Sequence, residues 1–245
     1  MPSAIRTLGI IPARYGSTRF PGKPLADING KTMIRRVWEQ ASLAQLDALI
    51  VATDDDRIYD HVAEFGRVVM TSRAHASGTD RCAEVATMMD RESAFDVVIN
   101  IQGDQPFIDP ALIDQVASAC AGENLDIATL SVPIAQIRDV MDAHIVKVVV
   151  SGNGRALYFS RSPIPFIQGK DKGDWIGSFP FQKHIGTYAY RRQVLTEIAE
   201  LPPSPLEEAE QLEQLRWIEG GYSIAVIRSE TDVKSIDNPE DLSQL

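Results

Sequence analysis

The stretch Leu8-Gly9-Ile10-Ile11-Pro12-Ala13-Arg14-Tyr15-Gly16-Ser17-Thr18-Arg19-Phe20-Pro21-Gly22-Lys23-Pro24-Leu25 decides how the chain is read. A short apolar run, Leu8 to Ile11, predicts a strand. It stops in a loop holding two glycines, three prolines and three cations, and a helical pattern begins near Lys31. Strand, basic glycine-containing loop and helix together make an arrangement that cradles phosphates, because backbone N–H groups and cationic side chains converge on one anion. Gly16 and Gly22 are expected to permit close backbone approach, and the prolines to restrict the loop. Arg14 and Arg19 can fork onto phosphate oxygens, with Lys23 as a compact point charge. A solvated basic surface loop is the competing reading of the same cations. Neither the Walker phosphate loop nor the dinucleotide fingerprint is present, since neither glycine spacing occurs.

Working outward, Ile34, Val37, Trp38 and Ala41 fall at i, i+3, i+4 and i+7, so residues 32–45 read as an amphipathic helix. Leu49–Thr53 reads as a strand, followed by Asp54-Asp55-Asp56 at the start of a helix lined by Ile58, Val62 and Phe65. Val68–Met70 is a strand, and Cys82, Val85, Ala86 and Met89 stripe the helix after Ser77-Gly78-Thr79-Asp80-Arg81. The nearly all-apolar run Val97–Ile101 is the kind of strand covered by helices on both faces. A helix over 110–121 and a strand from Ile127 continue the alternation. This predicts an α/β fold with a doubly wound, mostly parallel sheet, whose ligands sit beyond the carboxyl ends of the strands. Pro12 to Lys23, Thr53-Asp54 and Gln102-Gly103-Asp104 all follow strand ends and are expected to converge.

The pattern loosens after residue 140. Ile145–Val150, Ala156–Phe159 and Ile185–Arg191 read as strands, and 168–183 as a mobile loop. The expectation is a single domain over 1–245, with 145–195 as a β-rich lobe. Ser204-Pro205-Leu206-Glu207 opens a helix with a capping box and proline at its first position, running to Gly220-Gly221. On that helix Glu213 falls on the apolar stripe above Leu206, either paired with Arg216 or facing a polar pocket. A loop at Ser235-Ile236-Asp237-Asn238 then opens a terminal helix.

With 245 residues, 44% hydrophobic and 24% charged, the composition is that of an ordinary globular protein. The net charge of −10 and pI near 4.9 argue against sequence-independent nucleic-acid binding, which needs a positive field. No apolar run is long enough for a membrane span, and no signal-peptide pattern opens the chain, so no membrane association is expected. Cys82 and Cys120 stand far apart without ligand-spaced histidines, so they read as buried thiols in a reducing compartment, pointing to the cytoplasm. Asp104, at a strand end after a glutamine and a glycine, is the best placed acid, although lone turn aspartates are usually caps, and the same holds for Asp237.

The motifs IPARYGSTRFPGKPL (11–25), VATDDDRI (51–58), SGTDR (77–81), NIQGDQP (100–106), KVVVSGNGRALYFSRSPIPF (147–166), HIGTYAYR (184–191), SPLEEAEQLEQLR (204–216) and SIDNPEDL (235–242) occur in an order that resembles the 3-deoxy-manno-octulosonate cytidylyltransferases (CMP-KDO synthetases) over nearly the whole chain. The resemblance implies transfer of CMP from CTP to a KDO-type sugar acid, with Mg²⁺ as cofactor, a homodimer, and a role in lipopolysaccharide biosynthesis. It implies that Asp104 and Asp237 hold the metal, and that Lys23 binds and polarises the phosphates. Nucleotide contacts would come from Pro12, Ala13, Arg14, Arg19, Lys23, Ala52, Thr53, Asp54, Ser77, Gly78, Thr79, Arg81 and Gly103. The sugar acid would lie against Gln102, His184, Tyr188, Glu213 and Gln214. The family usually has glutamate after QGD and Gly-Val-Asp-Thr before PEDL, where this chain has Gln105 and Ser235-Ile236-Asp237-Asn238. The same chemistry on the 8-amino analogue of KDO or another sugar acid, a catalytically silent nucleotide-binding protein, and a sugar-1-phosphate nucleotidylyltransferase are the alternative readings.

Overall fold

The computed structural model describes residues 5–17, 20–89, 95–122 and 125–244. In chain order the elements are β1 (Thr7–Ala13), β2 (Asp27–Ile28), β3 (Lys31–Thr32), α1 (Met33–Ala41), β4 (Ala48–Thr53), α2 (Asp56–Ala63), β5 (Val68–Met70) and α3 (Gly78–Met89). There follow β6 (Val97–Asn100), α4 (Pro110–Ala121), β7 (Ile127–Pro133), α5 (Ile137–Met141), β8 (Lys147–Val150), β9 (Ala156–Ser160) and β10 (Gln182–Arg191). The last elements are α6 (Arg192–Ala199), α7 (Pro205–Glu210), α8 (Gln214–Glu219) and β11 (Ile224–Arg228). Short 3₁₀ turns cover Lys23–Leu25, Lys172–Asp174 and Pro239–Gln244, the last where a terminal helix is expected from sequence.

The main sheet runs β11-β7-β10-β6-β1-β4-β5, with β8 and β9 attached through β10. β1 pairs in parallel with β4 and with β6, β4 with β5, and β7 with β11. β10 lies antiparallel between β6 and β7. This is the α/β sheet expected from the alternating pattern, made mixed by β10. That strand falls inside the 145–195 stretch, yet it sits within the main sheet.

The apolar runs explain the layering. Leu8 and Ile10 of β1 pack on one face with Cys82, Val85 and Ala86 of α3 and Leu195 and Ile198 of α6. Ile11 and Ala13 point to the other face, against Ile34 and Val37 of α1 and Leu112 and Val116 of α4. Leu8, Ile10 and Ile11 are fully buried, and each such side chain contributes about 1.5–3 kcal/mol. Helix starts follow local chemistry. Asp55 caps α2 by accepting from Arg57 N, and Asp109 caps α4 by accepting from Ala111 N. Ser77 and Asp80 bond each other's backbone N–H at the start of α3, and Ser204 and Glu207 do the same at α7.

Two expectations fail for non-local reasons. The 168–183 stretch has its own apolar core, in which buried Trp175 stacks on buried Phe181 at 6.1 Å, with Ile134 and Val140 beneath. The helix expected to run from Pro205 to Gly220 breaks at Gln211, whose φ of 52° and ψ of 48° are left-handed. The wheel that set Glu213 above Leu206 therefore does not exist. Arg216 instead forks onto Glu207 with two contacts of 2.6 Å, so it is not Glu213's partner. Gly16 has open space where a side chain would be. Gly22, at φ 71°, does take a left-handed conformation before the Lys23 turn.

Candidate active site

The cleft opens at the carboxyl ends of β1 and β6, where the order of strands reverses around β1. In open α/β sheets ligands bind at such a switch point. About 280 Å³ is enclosed by Pro12, Ala13, Arg14 and Ser17 from β1 and its loop, and by Lys23 and Pro24 from the 3₁₀ turn. Residues 75–78, Arg81, residues 102–104 and Asp237 complete the walls. Lys23 sits at the centre. Its ammonium donates to Asp104 Oδ2 at 2.9 Å and to the Ile236 carbonyl at 2.9 Å, and lies 3.6 Å from Asp237 Oδ1. Ile236 N in turn donates to the Asp104 carbonyl at 2.9 Å, fixing the two acid-bearing segments side by side.

The helix that aims its N-terminus here is α3, through Ser77 and Gly78. The helix expected to follow the basic loop directly does not, because the β2–β3 hairpin intervenes before α1 and no residue of α1 lines the cleft. Arg81 is only 4% exposed; it pairs with Asp54 at 2.9 Å and donates to Thr71 Oγ1. Its charge is therefore already committed, and it stiffens the wall. Gly103 is required by contact: a Cβ there would lie 2.9 Å from the Pro12 carbonyl oxygen, a backbone atom that cannot yield cheaply. Gly103→Ala is expected to cost about 1–3 kcal/mol by overpacking and to shift Pro12 in the cleft wall. Gly78→Ala, whose Cβ would meet nothing nearer than 3.5 Å, is the matched control. A thermal melt decides; a Gly103→Ala protein as stable as the Gly78→Ala control would refute the packing argument.

Behind the α3 wall lies a second group of polar side chains. Glu213 Oε2 accepts from Thr79 Oγ1 at 2.8 Å, and burial raises the pKa of its carboxyl. The buried hydroxyls of Tyr188 and Tyr190 and the indole N–H of Trp217 have no hydrogen-bond partner among the described residues. Burial also holds both tyrosines well above their usual pKa. Because β10 is antiparallel, its second half pairs with β6, setting Tyr188 opposite Asn100 at the carboxyl end of β6, and its first half runs on beyond that end. A register shift between Ile185 and Tyr188 bulges the strand, and Gln102 Nε2 donates to the Gly186 carbonyl at 2.7 Å. His184 packs edge-on against Phe159 and tilts against Tyr188. Thr129 Oγ1 reaches the Ile185 and Thr187 carbonyls as donor, so His184 Nε2–H donates to that hydroxyl at 3.0 Å. Desolvation lowers the His184 pKa to about 3, leaving a neutral ring.

Of the residues expected from sequence, Pro12, Ala13, Arg14, Lys23, Ser77, Gly78, Arg81, Gln102, Gly103, Asp104 and Asp237 meet in one cleft. Ala52 and Thr53 are fully buried in β4, and Asp54 is taken up by Arg81. Thr79, Tyr188 and Glu213 gather behind the wall, Gln214 is buried beside them, and His184 lines a neighbouring cavity that shares Asp237. Arg19 lies outside the described residues. His75 was not expected. It lines the cleft and contacts Glu84 at 2.5 Å; its one sequence signal is its place two residues before Ser77.

The donor set fits a hard divalent cation. Two carboxylates already converge on one positive charge, the Lys23 ammonium. Among the described residues no cluster of three or more acidic, histidine or cysteine ligands occurs. Magnesium takes one or two protein carboxylates and completes its shell with phosphate oxygens and water.

A switch-point cleft with paired carboxylates, clustered cations and a helix N-terminus defines a nucleotidyltransferase-type α/β protein. A family model described as Cytidylyltransferase matches residues 8–227. The 3-deoxy-manno-octulosonate cytidylyltransferase of Parabacteroides distasonis is 52% identical over 98% of this chain and 96% of its own. The 8-amino-3,8-dideoxy-manno-octulosonate cytidylyltransferase of Shewanella pealeana is also 52% identical, over 95% of this chain and 94% of its own. A solved CMP:2-keto-3-deoxy-manno-octonic acid synthetase, complexed with CTP, superposes with a TM-score of 0.88 at 40% identity, covering 98% and 96% of the two chains. The chain belongs to the 3-deoxy-manno-octulosonate cytidylyltransferase family.

Proposed function

We propose that the protein catalyses CTP + 3-deoxy-D-manno-octulosonate (KDO) → CMP-KDO + diphosphate, supplying activated KDO for lipopolysaccharide or a related surface glycan. One observation carries this reading: the Lys23 ammonium held between Asp104 and Asp237 in a cleft walled by Arg14 and the start of α3. In the reaction the anomeric hydroxyl oxygen bonds to the α-phosphorus in line as the α–β phosphoanhydride bond breaks. Diphosphate leaves with the bonding pair, and the hydroxyl proton passes to solvent.

Asp104 and Asp237 would hold Mg²⁺, which, when bound, supplies Lewis-acid charge at the triphosphate and the attacking oxygen. Lys23 and Arg14 offset charge that develops on the phosphates, and the α3 N-terminus adds backbone donors. Pro12, Ala13 and the 75–78 segment wall the nucleotide. Glu213, Tyr188 and Gln102 supply acceptors and donors for sugar hydroxyls; the hydroxyl of Tyr188, unpartnered among the described residues, supports that side. Leu157 and Phe166, 58% and 72% exposed in and beyond β9, supply apolar surface for a homodimer. A cytoplasmic location fits the two free, buried thiols and the lack, among the described residues, of a helix long and apolar enough to cross a membrane.

The second reading is the same transfer to 8-amino-KDO, favoured by the equal identity to the relative of that name. Diphosphate release from CTP and Mg²⁺ is to be measured with KDO, its 8-amino analogue, sialic acid or no sugar. Release with KDO alone is expected. Preference for the amino sugar would move the substrate but keep the chemistry. No release with any acceptor, despite CTP binding, would leave a silent nucleotide-binding protein.

A further inference from the structure

The elbow between α7 and α8 is held from outside its own sequence. Gln211 takes a left-handed conformation that costs a non-glycine residue about 1–2 kcal/mol, so its surroundings must over-determine it. Those surroundings are the end of β9. Arg161 donates through Nε to the Glu210 carbonyl at 2.8 Å and through Nη2 to the Gln211 carbonyl at 3.3 Å. These are carbonyls that the broken helix leaves without intrahelical partners. In return the Glu210 carboxylate accepts from Ser160 Oγ at 2.5 Å and from Arg161 N at 2.9 Å.

The same guanidinium reaches a second wall, donating through Nη1 to the Ala143 carbonyl at 3.2 Å. Lys147, fully buried, fastens that wall by donating to the Asp142 and Ile145 carbonyls at 2.8 and 2.7 Å and also to the Arg161 carbonyl. Its pKa is lowered by desolvation. Two residues beyond the elbow stands Glu213. A continuous helix would point that carboxylate elsewhere, and the break turns it towards Thr79.

We propose that Arg161 and Glu210 are positioning residues for the sugar acid: their clasp sets the Gln211 elbow, and the elbow sets Glu213. This rests on the reading of Glu213 as a sugar contact. A clasp of this kind acts on sugar binding and leaves the nucleotide side alone, because neither residue lines the cleft that holds Lys23.

The test is steady-state kinetics on the full-length enzyme with KDO and CTP varied separately. Arg161→Gln is expected to raise KM for KDO about tenfold while KM for CTP stays within about twofold, the pattern of lost ground-state binding to one substrate. Gln211→Gly, which accepts a left-handed backbone without enforcement, is expected to recover most of the KDO affinity in the Arg161→Gln background. Combining Arg161→Gln with Glu213→Gln should raise KM for KDO by less than the product of the single effects. If Arg161→Gln does not fold, Ser160→Ala opens the same clasp more gently and should move KM for KDO in the same direction. An unchanged KM for KDO, or parallel rises for both substrates, would overturn the proposal while a raised KM in Glu213→Gln kept the sugar contact. An unchanged KM for KDO in Glu213→Gln would overturn the sugar contact and the clasp's role together.

Discussion

Asp104→Ala is expected to abolish diphosphate release, lowering turnover about a thousandfold or more, which is roughly 4 kcal/mol of barrier. Asp104 is one of two carboxylates beside Lys23, and it stands on the loop where Gly103 touches the Pro12 backbone. On the proposed reading its loss would remove half of the protein's share of a divalent site, and the described residues hold no larger ligand cluster to replace it. The fold should survive. The Lys23–Asp104 pair is partly open to solvent, with side chains 16% and 26% exposed, and such pairs are worth about 0–1 kcal/mol. That corresponds to a fall of at most about 2–4 °C in Tm for a chain of this size. Turnover, a thermal melt and CTP binding separate the outcomes. Near-normal turnover in a folded variant would refute the metal role of Asp104.

That site was legible because its parts are local. Each strand of the parallel half is an apolar run ending in a loop with its own chemistry. Pro12-Ala13-Arg14, Ser77-Gly78 and Gln102-Gly103-Asp104 could therefore be placed together from strand order alone. What stayed hidden depends on contacts between distant segments. The break at Gln211 is enforced by Arg161, fifty residues earlier, so a helical wheel over 205–219 could not reveal it. The same wheel offered Arg216 as partner for Glu213, whereas the guanidinium is drawn back across the elbow to Glu207. Strand β10 has the same apolar, β-branched and aromatic composition wherever it pairs. Nothing in its own residues says that it enters the main sheet antiparallel between β6 and β7. Trp175 and Phe181 lie in a polar stretch and form a core only by meeting Ile134 and Val140. His75 is a lone histidine whose role follows from Glu84, a full helix turn or more beyond it, and periodicity carries no such information.

Lys23→Met keeps the aliphatic stem and removes the charge, so it separates the two tasks that meet at this nitrogen. The ammonium donates hydrogen bonds to Asp104 and the Ile236 carbonyl and lies near Asp237. Its third N–H remains for a phosphate oxygen, while its charge beside the two carboxylates opposes a divalent cation there. The variant is expected to lose about 10²–10³-fold in kcat/KM, the scale of removing one preorganised donor from charge developing in the transition state. Cation affinity should move the other way. With no ammonium competing for the same two carboxylates, Mn²⁺ used as a spectroscopic probe should bind nucleotide-free Lys23→Met more tightly than the parent protein. Titrating both proteins with Mn²⁺ in the absence of CTP reads that competition independently of turnover. Weaker Mn²⁺ binding in the variant would mean that Lys23 organises the acid pair for the metal and does not stand in its place. Turnover within tenfold of the parent would remove Lys23 from the phosphate chemistry altogether.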